Sequence, residues 1–229
     1  MSSASESSSA NPQVRIFGTV TSTYTRIVQI VCEESGVSHE TIATAANSPS
    51  NRHPFGKVPV VEADGLELIE SVAIAQYIDN AHGGASLQPA DPAARAVMDK
   101  WIAVGNTYLF PLFENGLVMP WIMHRHGGFD LDEDRIGRAL PQISRALGFV
   151  EAELAQDGAW TVSGGLNKGV RERGGAFTLA DVFLYPIFRG LQLTPQGQVG
   201  ISQCDYLTAW LASCENRASI AATRWESEL

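Results

Sequence analysis

The spacing of apolar residues changes character once along this chain, near residue 90, and that change constrains the fold more than any other feature. Before it, short β-like runs alternate with helical spacing. Val14-Arg15-Ile16-Phe17 forms a β-like run that stops at Gly18. Polar residues Thr19 to Thr23 follow, and Tyr24, Ile27, Val28 and Val31 then recur at helical intervals, with Gly36 placed as a helix C′ glycine. Glu40 to Thr44 reads as a weak second strand. Lys57 to Glu62 reads as a third, interrupted by Pro59, which cannot donate to a ladder. Asp64-Gly65 is a strong turn signal, and Leu66 to Ile69 is the returning strand. A helix is expected from Ser71 to about Ala81, ending before Gly83-Gly84.

After the linker at Ala85 to Ala90 the β signals vanish. Asp91-Pro92 pairs an N-cap with proline at the first helical position. The long helix that follows carries Trp101, Tyr108 and Phe113, and Pro111 and Pro120 are expected to kink or divide it. Ile136, Leu140, Ile143, Leu147, Val150 and Leu154 mark a buried helical stripe, with Asp130, Asp132, Glu133 and Asp134 suited to its N-terminus. Thr178-Leu179-Ala180-Asp181 opens another helix, and Leu207 to Cys214 belongs to a further one. A chain of 229 residues accommodates two small domains. The expected division is a disordered Ser-rich arm at 1–13, an α/β domain at 14–84 and an all-helical domain at 91–229. The order strand-helix-strand, hairpin, helix is the thioredoxin-like one.

Composition removes several classes of function. The formal net charge of −9, with no basic stripe, argues against nucleic-acid and anionic-membrane binding. Cys32, Cys204 and Cys214 are odd in number and lack C-x-x-C spacing, so neither a disulfide framework nor a zinc site is suggested. His124 and His126 would not share a helix face, and no metal is expected. The N-terminus lacks the basic start and apolar run of a signal peptide, and no stretch approaches the roughly 18 apolar residues of a membrane span. A cytoplasmic protein is the expectation.

The segment His53 to Ile78, "HPFGKVPVVEADGLELIESVAIAQYI", resembles the glutathione-binding half of the cytosolic glutathione S-transferases, where N-P-F-G-[KQ]-V-P, a turn and E-S-x-A-I follow in this order. The start, "RIFGTVTSTYTRIV", is similar to the plant phi class and its bacterial relatives. "FTLADVFLYPIF" resembles the helix-start signature of that family's C-terminal domain. The resemblance runs from Val14 to Thr223 and implies a thioredoxin-like domain followed by an all-α bundle, with glutathione as co-substrate and a homodimer as the assembly.

It also implies site residues. The Val58-Pro59 bond is expected to be cis, which lets the Val58 backbone pair with the cysteinyl unit of glutathione. Glu70 and Ser71 stand where a strand gives way to a helix N-terminus, which suits the γ-glutamyl carboxylate; a plain N-cap is the structural alternative for Ser71. Lys57 falls near the glycyl end. The His-Lys pair usual in the phi pattern is absent, leaving His53 and Arg52 as local substitutes. Ser22 aligns with the catalytic serine of that class: a hydroxyl donor beside a helix N-terminus favours a thiolate over a thiol whose ordinary pKa is near 8.5. Its structural alternative is also an N-cap; Thr19, Thr21, Thr23 and Tyr24 are local rivals. Cys32 reads as an inert core thiol, and the Thr178–Asp181 pattern as a structural capping box. Tyr108, Phe113 and Trp121, with Met119 and Met123, are candidates for the co-substrate pocket. Gly164 to Gly175 is an insertion read as a loop or an anion-binding lid.

The reaction implied is addition of glutathione to an electrophilic small molecule by conjugation, dehalogenation or ether cleavage. A non-catalytic ligand-binding protein and a glutathione-dependent peroxidase are the alternatives, and maleyl-type isomerisation is a remoter one.

Overall fold

The computed structural model describes residues 12–156 and 177–224. Most of the expected arm and the 164–175 insertion therefore lie outside the described residues. Four strands form one mixed sheet: β1 (Val14–Gly18), β2 (His39–Ala43), β3 (Val60–Ala63) and β4 (Leu66–Leu68), in the order β2-β1-β3-β4. β1 runs parallel to β2, with Ile16 opposite Thr41, and antiparallel to β3, with Ile16 opposite Val61. β3 and β4 form the hairpin that Asp64-Gly65 announces, with both turn residues at positive φ. β3 begins three residues later than the apolar run does. The Val58-Pro59 peptide is cis and proline brings no N–H, so ladder pairing starts only at Val60.

Helices α1 (Thr23–Glu34) and α2 (Ser71–Ala81) pack on each other and on the sheet. Ile27, Val28, Ile30 and Val31 of α1 meet Ile74, Ala75 and Ile78 of α2, all fully buried with Val14, Ile16 and Val61. Cys32 lies in the same core, where burial pushes its thiol up to about 12, as an inert cysteine requires.

From Pro92 onward every described element is helical. α3 (Pro92–Val104) is capped by Asp91, whose carboxylate accepts from Ala94 N–H at 2.8 Å. The expected break at the two prolines takes the form of widened turns. The run continues through a π-turn at Gly105–Leu109, α4 (Phe110–Phe113), a second π-turn at Glu114–Val118 and α5 (Met119–Gly127). Pro111 and Pro120 cannot bond the carbonyls four residues back, at Thr107 and Gly116. Just before each proline the register lengthens instead: Phe110 N–H donates to Gly105 O, and Met119 N–H to Glu114 O.

α6 (Glu133–Leu154) buries Ile136, Ala139, Ile143, Leu147, Val150 and Leu154. Leu140, expected in this stripe, is instead 36% exposed, because Ala139 occupies the close contact with Gly116. α7 (Leu179–Gln192) is buried almost all round, as its apolar sequence demands, and packs on α1, α3 and α8 (Pro195–Ser202). α9 (Asp205–Glu215) and α10 (Ala218–Ala222) close the described chain. None of the described helices is long and apolar enough to cross a membrane.

Candidate active site

Two cavities that share a wall open where α1, α2 and the loop before β3 face the helical run from Gly105 to Met119. The larger, about 770 Å³, is lined by His53, Lys57, Val58, Pro59, Glu70 and Ser71 on the sheet side, and by Asn106, Phe110, Glu114 and Met119 opposite. The smaller, about 360 Å³, holds Ser22 with Thr19, Thr21 and Thr23 at the head of α1, facing Phe113, Ile122 and Ile187. Tyr24, Ala46, Val58, Phe110, Glu114 and Met119 line both.

Ser22 is the N-cap of α1. Its backbone is extended, and its Oγ accepts from Thr25 N–H at 3.3 Å. A hydroxyl that accepts in this way still has its own hydrogen to donate. The N-cap reading of Ser22 is the one the geometry displays, and its remaining hydroxyl hydrogen sits at a helix end that favours negative charge.

Ser71 is not an N-cap. That position belongs to Glu70, which makes no side-chain cap bond and takes a left-handed backbone (φ 67°) uncommon for a residue with a Cβ. Ser71 is the first residue of α2, nearly buried, and no hydrogen bond from its hydroxyl is found among the described residues. The first N–H groups of α2 and this hydroxyl thus face the large cavity together, an arrangement that suits a carboxylate.

At the other end the loop is tied down by Asn51. Its amide donates to Lys57 O at 2.9 Å, and its Oδ1 accepts from His53 N–H at 2.9 Å. His53 is buried and its Nδ1 accepts from Phe55 N–H at 3.2 Å, so the neutral ring carries its proton on Nε2. Lys57 is exposed at the cavity rim. Arg52 is turned away: it pairs with Glu62 at 2.6 Å and Glu67 at 2.7 Å, and lies 4.0 Å over the Phe17 ring. Of the two local substitutes, only His53 is brought to the cavity.

Tyr24 stacks edge-on against Phe110, ring centroids 4.8 Å apart. Burial, then the nearby Glu114 and Glu70 carboxylates, raise its phenol well above the usual range, so it stays a neutral hydroxyl. The aromatic candidates separate. Phe113 lines the smaller cavity while packing on Phe188. Tyr108 is 67% exposed and lines neither cavity. Trp121 lies outside both as well, with its indole N–H bonded to Gln196 Oε1 at 2.8 Å. Met119 lines both cavities and Met123 neither. Asn106, Phe110 and Glu114 are cavity residues that helical spacing alone did not single out. The two π-turns shift the phase of the helix and so change which side chains reach the cavities.

Residues 16–86 match the family model described as the glutathione S-transferase N-terminal domain. The chain is 28% identical to glutathione S-transferase APIC of Nicotiana tabacum over 214 residues, which is 87% of this chain and 91% of that one. Residues 16–86 thus carry a glutathione S-transferase N-terminal domain. Glutathione S-transferase F14 of Arabidopsis thaliana is 30% identical over 109 residues, but that match spans 47% of this chain and 42% of the relative. Among solved structures, the theta-class glutathione S-transferase of Xanthomonas axonopodis pv. citri, with glutathione bound, superposes with a TM-score of 0.74 at 26% identity. It covers 93% of this chain and 97% of its own. The cis peptide before β3, the β3–β4 hairpin and helices α1 and α2 all lie within the matched residues.

Proposed function

We propose that this protein is a glutathione transferase that activates the thiol of glutathione through Ser22. The observation that carries the reading is the pair of adjoining cavities. One presents a helix N-terminus with Ser71, the Val58-Pro59 bend and His53 to an extended peptide-like anion; the other holds a free hydroxyl hydrogen at Ser22 and an apolar wall. In this reading the first N–H groups of α2, Ser71 and Glu70 hold the γ-glutamyl end. The Val58 backbone pairs with the cysteinyl unit, and Lys57 and His53 face the glycyl carboxylate. Ser22 donates to the thiolate. The sulfur attacks an electrophilic carbon, the S–C bond forms, the leaving group departs with its electron pair, and the thiol proton goes to solvent. The co-substrate lies against Phe110, Phe113, Met119, Ile122 and Ile187. Following the family resemblance, we take the enzyme to act as a cytoplasmic homodimer. Reduction of a hydroperoxide by the same thiolate is a close variant.

The test is Ser22→Ala. Loss of one hydrogen bond to a charged sulfur removes about 1.5–3 kcal/mol of thiolate stabilisation. The rate on an aryl halide should fall about 10- to 100-fold, and its pH profile should move alkaline, while glutathione is still retained on an affinity matrix. An undiminished rate would remove Ser22 from the mechanism and point to Tyr24, whose hydroxyl-bearing side chain lines both cavities. Full retention of glutathione by the native protein with no turnover across a panel of electrophiles would leave a binding protein only.

A further inference from the structure

Glu114 is a carboxyl in an apolar stretch, Tyr108 to Pro120, where the local sequence gives it no basic neighbour. It opens the second π-turn. The following residues are fixed against α6: Leu117 is fully buried, and a Cβ on Gly116 would come within 2.6 Å of the Ala139 Cβ. That contact pins one side of the turn and leaves Glu114 on the other, on the wall common to both cavities. Its companions there are Tyr24, Ala46, Val58, Phe110 and Met119, mostly apolar. Among the described residues no hydrogen bond or ion pair holds this carboxyl. Burial raises its pKa above the ordinary carboxylate range. Other titratable groups on these cavities are Tyr24 from α1, Glu70 at the head of α2, and His53 and Lys57 from the loop. α7 contributes Ile187 and Gly190, and no charged residue of α6 lines either cavity.

A thiolate formed beside Ser22 makes a second negative charge on this wall unfavourable and so reinforces the neutral acid. A neutral carboxylic acid is a proton donor, and it faces the space where sulfur and electrophile must meet.

We propose that Glu114 is a general acid of this site, and that it fits the enzyme to electrophiles whose reacting carbon releases electrons onto oxygen, an epoxide being the simplest. The step balances without a further reagent. The sulfur–carbon bond forms, the carbon–oxygen bond breaks, and the developing alkoxide takes the Glu114 proton to become an alcohol. The carboxylate left behind regains a proton from the thiol of the next glutathione, which thereby becomes thiolate. An aryl halide needs no such proton, because halide leaves as a stable anion. The inference rests on the glutathione transferase reading and adds the substrate class to it.

The experiment compares styrene oxide with 1-chloro-2,4-dinitrobenzene at saturating glutathione, in the native chain and in Glu114→Gln. General acid catalysis contributes about 100-fold or more, so the epoxide-to-halide rate ratio should fall about 100-fold in the glutamine variant. In the native enzyme the same ratio cancels thiolate ionisation, which both reactions share. It should decline as pH rises through the ionisation of the carboxyl, and be flat with pH in the variant. A ratio changed by less than about threefold in the variant overturns the inference. So does a native ratio that does not vary with pH, or a native protein that conjugates the halide and opens no epoxide. If the variant does not fold, the native pH dependence decides alone. A native protein inactive on both substrates removes the transferase reading, and this inference with it.

Discussion

At the scale of single residues, the proposed site presents hydroxyls at two helix ends, and the structure separates their places in those ends. Ser22 caps α1 and can still donate; Ser71 caps nothing, since Glu70 holds the N-cap position of α2. That difference yields a prediction. An N-cap serine replaced by alanine costs about 1 kcal/mol of stability. Ser71→Ala should lose almost none, because no cap bond disappears, yet glutathione affinity should fall about tenfold with the loss of a charge-assisted hydrogen bond. Calorimetric titration with glutathione and a thermal melt separate the two quantities. A lowered melting temperature with unchanged affinity would return Ser71 to a structural role. The glycyl end shows what single-residue reading misses. Arg52 and His53 are adjacent and equally plausible in sequence, but only tertiary structure reveals that Arg52 is engaged by Glu62 and Glu67 across the hairpin.

At the scale of elements, local chemistry foretold most boundaries. Asp91-Pro92 starts α3, Asp64-Gly65 turns the hairpin, and α2 spans the residues its pattern suggests. Pro111 and Pro120 signal a disturbance, but nothing local says that it is absorbed by π-turns, and these turns bring Glu114 to the cavities while Tyr108 and Trp121 lie outside them. Leu140 fell out of the α6 stripe for a related reason, since a glycine on a distant helix decides which small residue sits at the contact. The capping box of α7 was legible and proves more connected than a local motif. Asp181 accepts from Thr178 N–H at 2.9 Å and from the Trp210 indole at 2.9 Å, which ties α9 to the head of α7. Burial pushes this carboxyl up to about 6, against the lowering effect of its hydrogen bonds. Between the ordinary value of 3.8 and about 6 the folded chain therefore holds a proton that the unfolded chain releases. Asp181's contribution to stability is greatest below that window and declines as pH rises through it. Asp181→Asn should lower stability by about 1–3 kcal/mol, since a bonded N–H now meets an amide donor. The gap between native and variant, measured by urea unfolding, should narrow from pH 4 to pH 6. A gap that is constant with pH would mean that Asp181 is not the group titrating.

At the scale of the whole molecule, the proposed site lies between two halves, so its geometry depends on how they are joined. α1 packs along α7, with the Arg26 guanidinium 5.3 Å from the Tyr185 ring centroid and donating to Ile220 O. At the far end of α1, Glu34 accepts two bonds from Arg217, at 2.8 and 2.6 Å, and one from the Ser219 hydroxyl. Burial alone would raise the Glu34 carboxyl, but the bonds from Arg217 and Ser219 outweigh it and hold the pKa below the ordinary range. The sign is thus opposite to that of Asp181: this stabilisation is fully present above the unfolded carboxylate value and disappears as pH falls through the folded one. Glu34→Ala leaves a guanidinium and a hydroxyl without their shared acceptor, and at neutral pH should cost about 1–3 kcal/mol. In acid, where the native carboxylate is itself protonated, native chain and variant should converge. Because α1 carries Ser22 at its other end, loosening the join should also raise KM for the electrophile more than for glutathione, whose cradle is built mainly from the first half. Urea unfolding at neutral and acid pH, with steady-state kinetics on both substrates, tests both parts. A stability gap that persists in acid would show packing rather than charge to be what Glu34 supplies, and equal changes in the two KM values would show that the join does not set the distance between the cavities' walls.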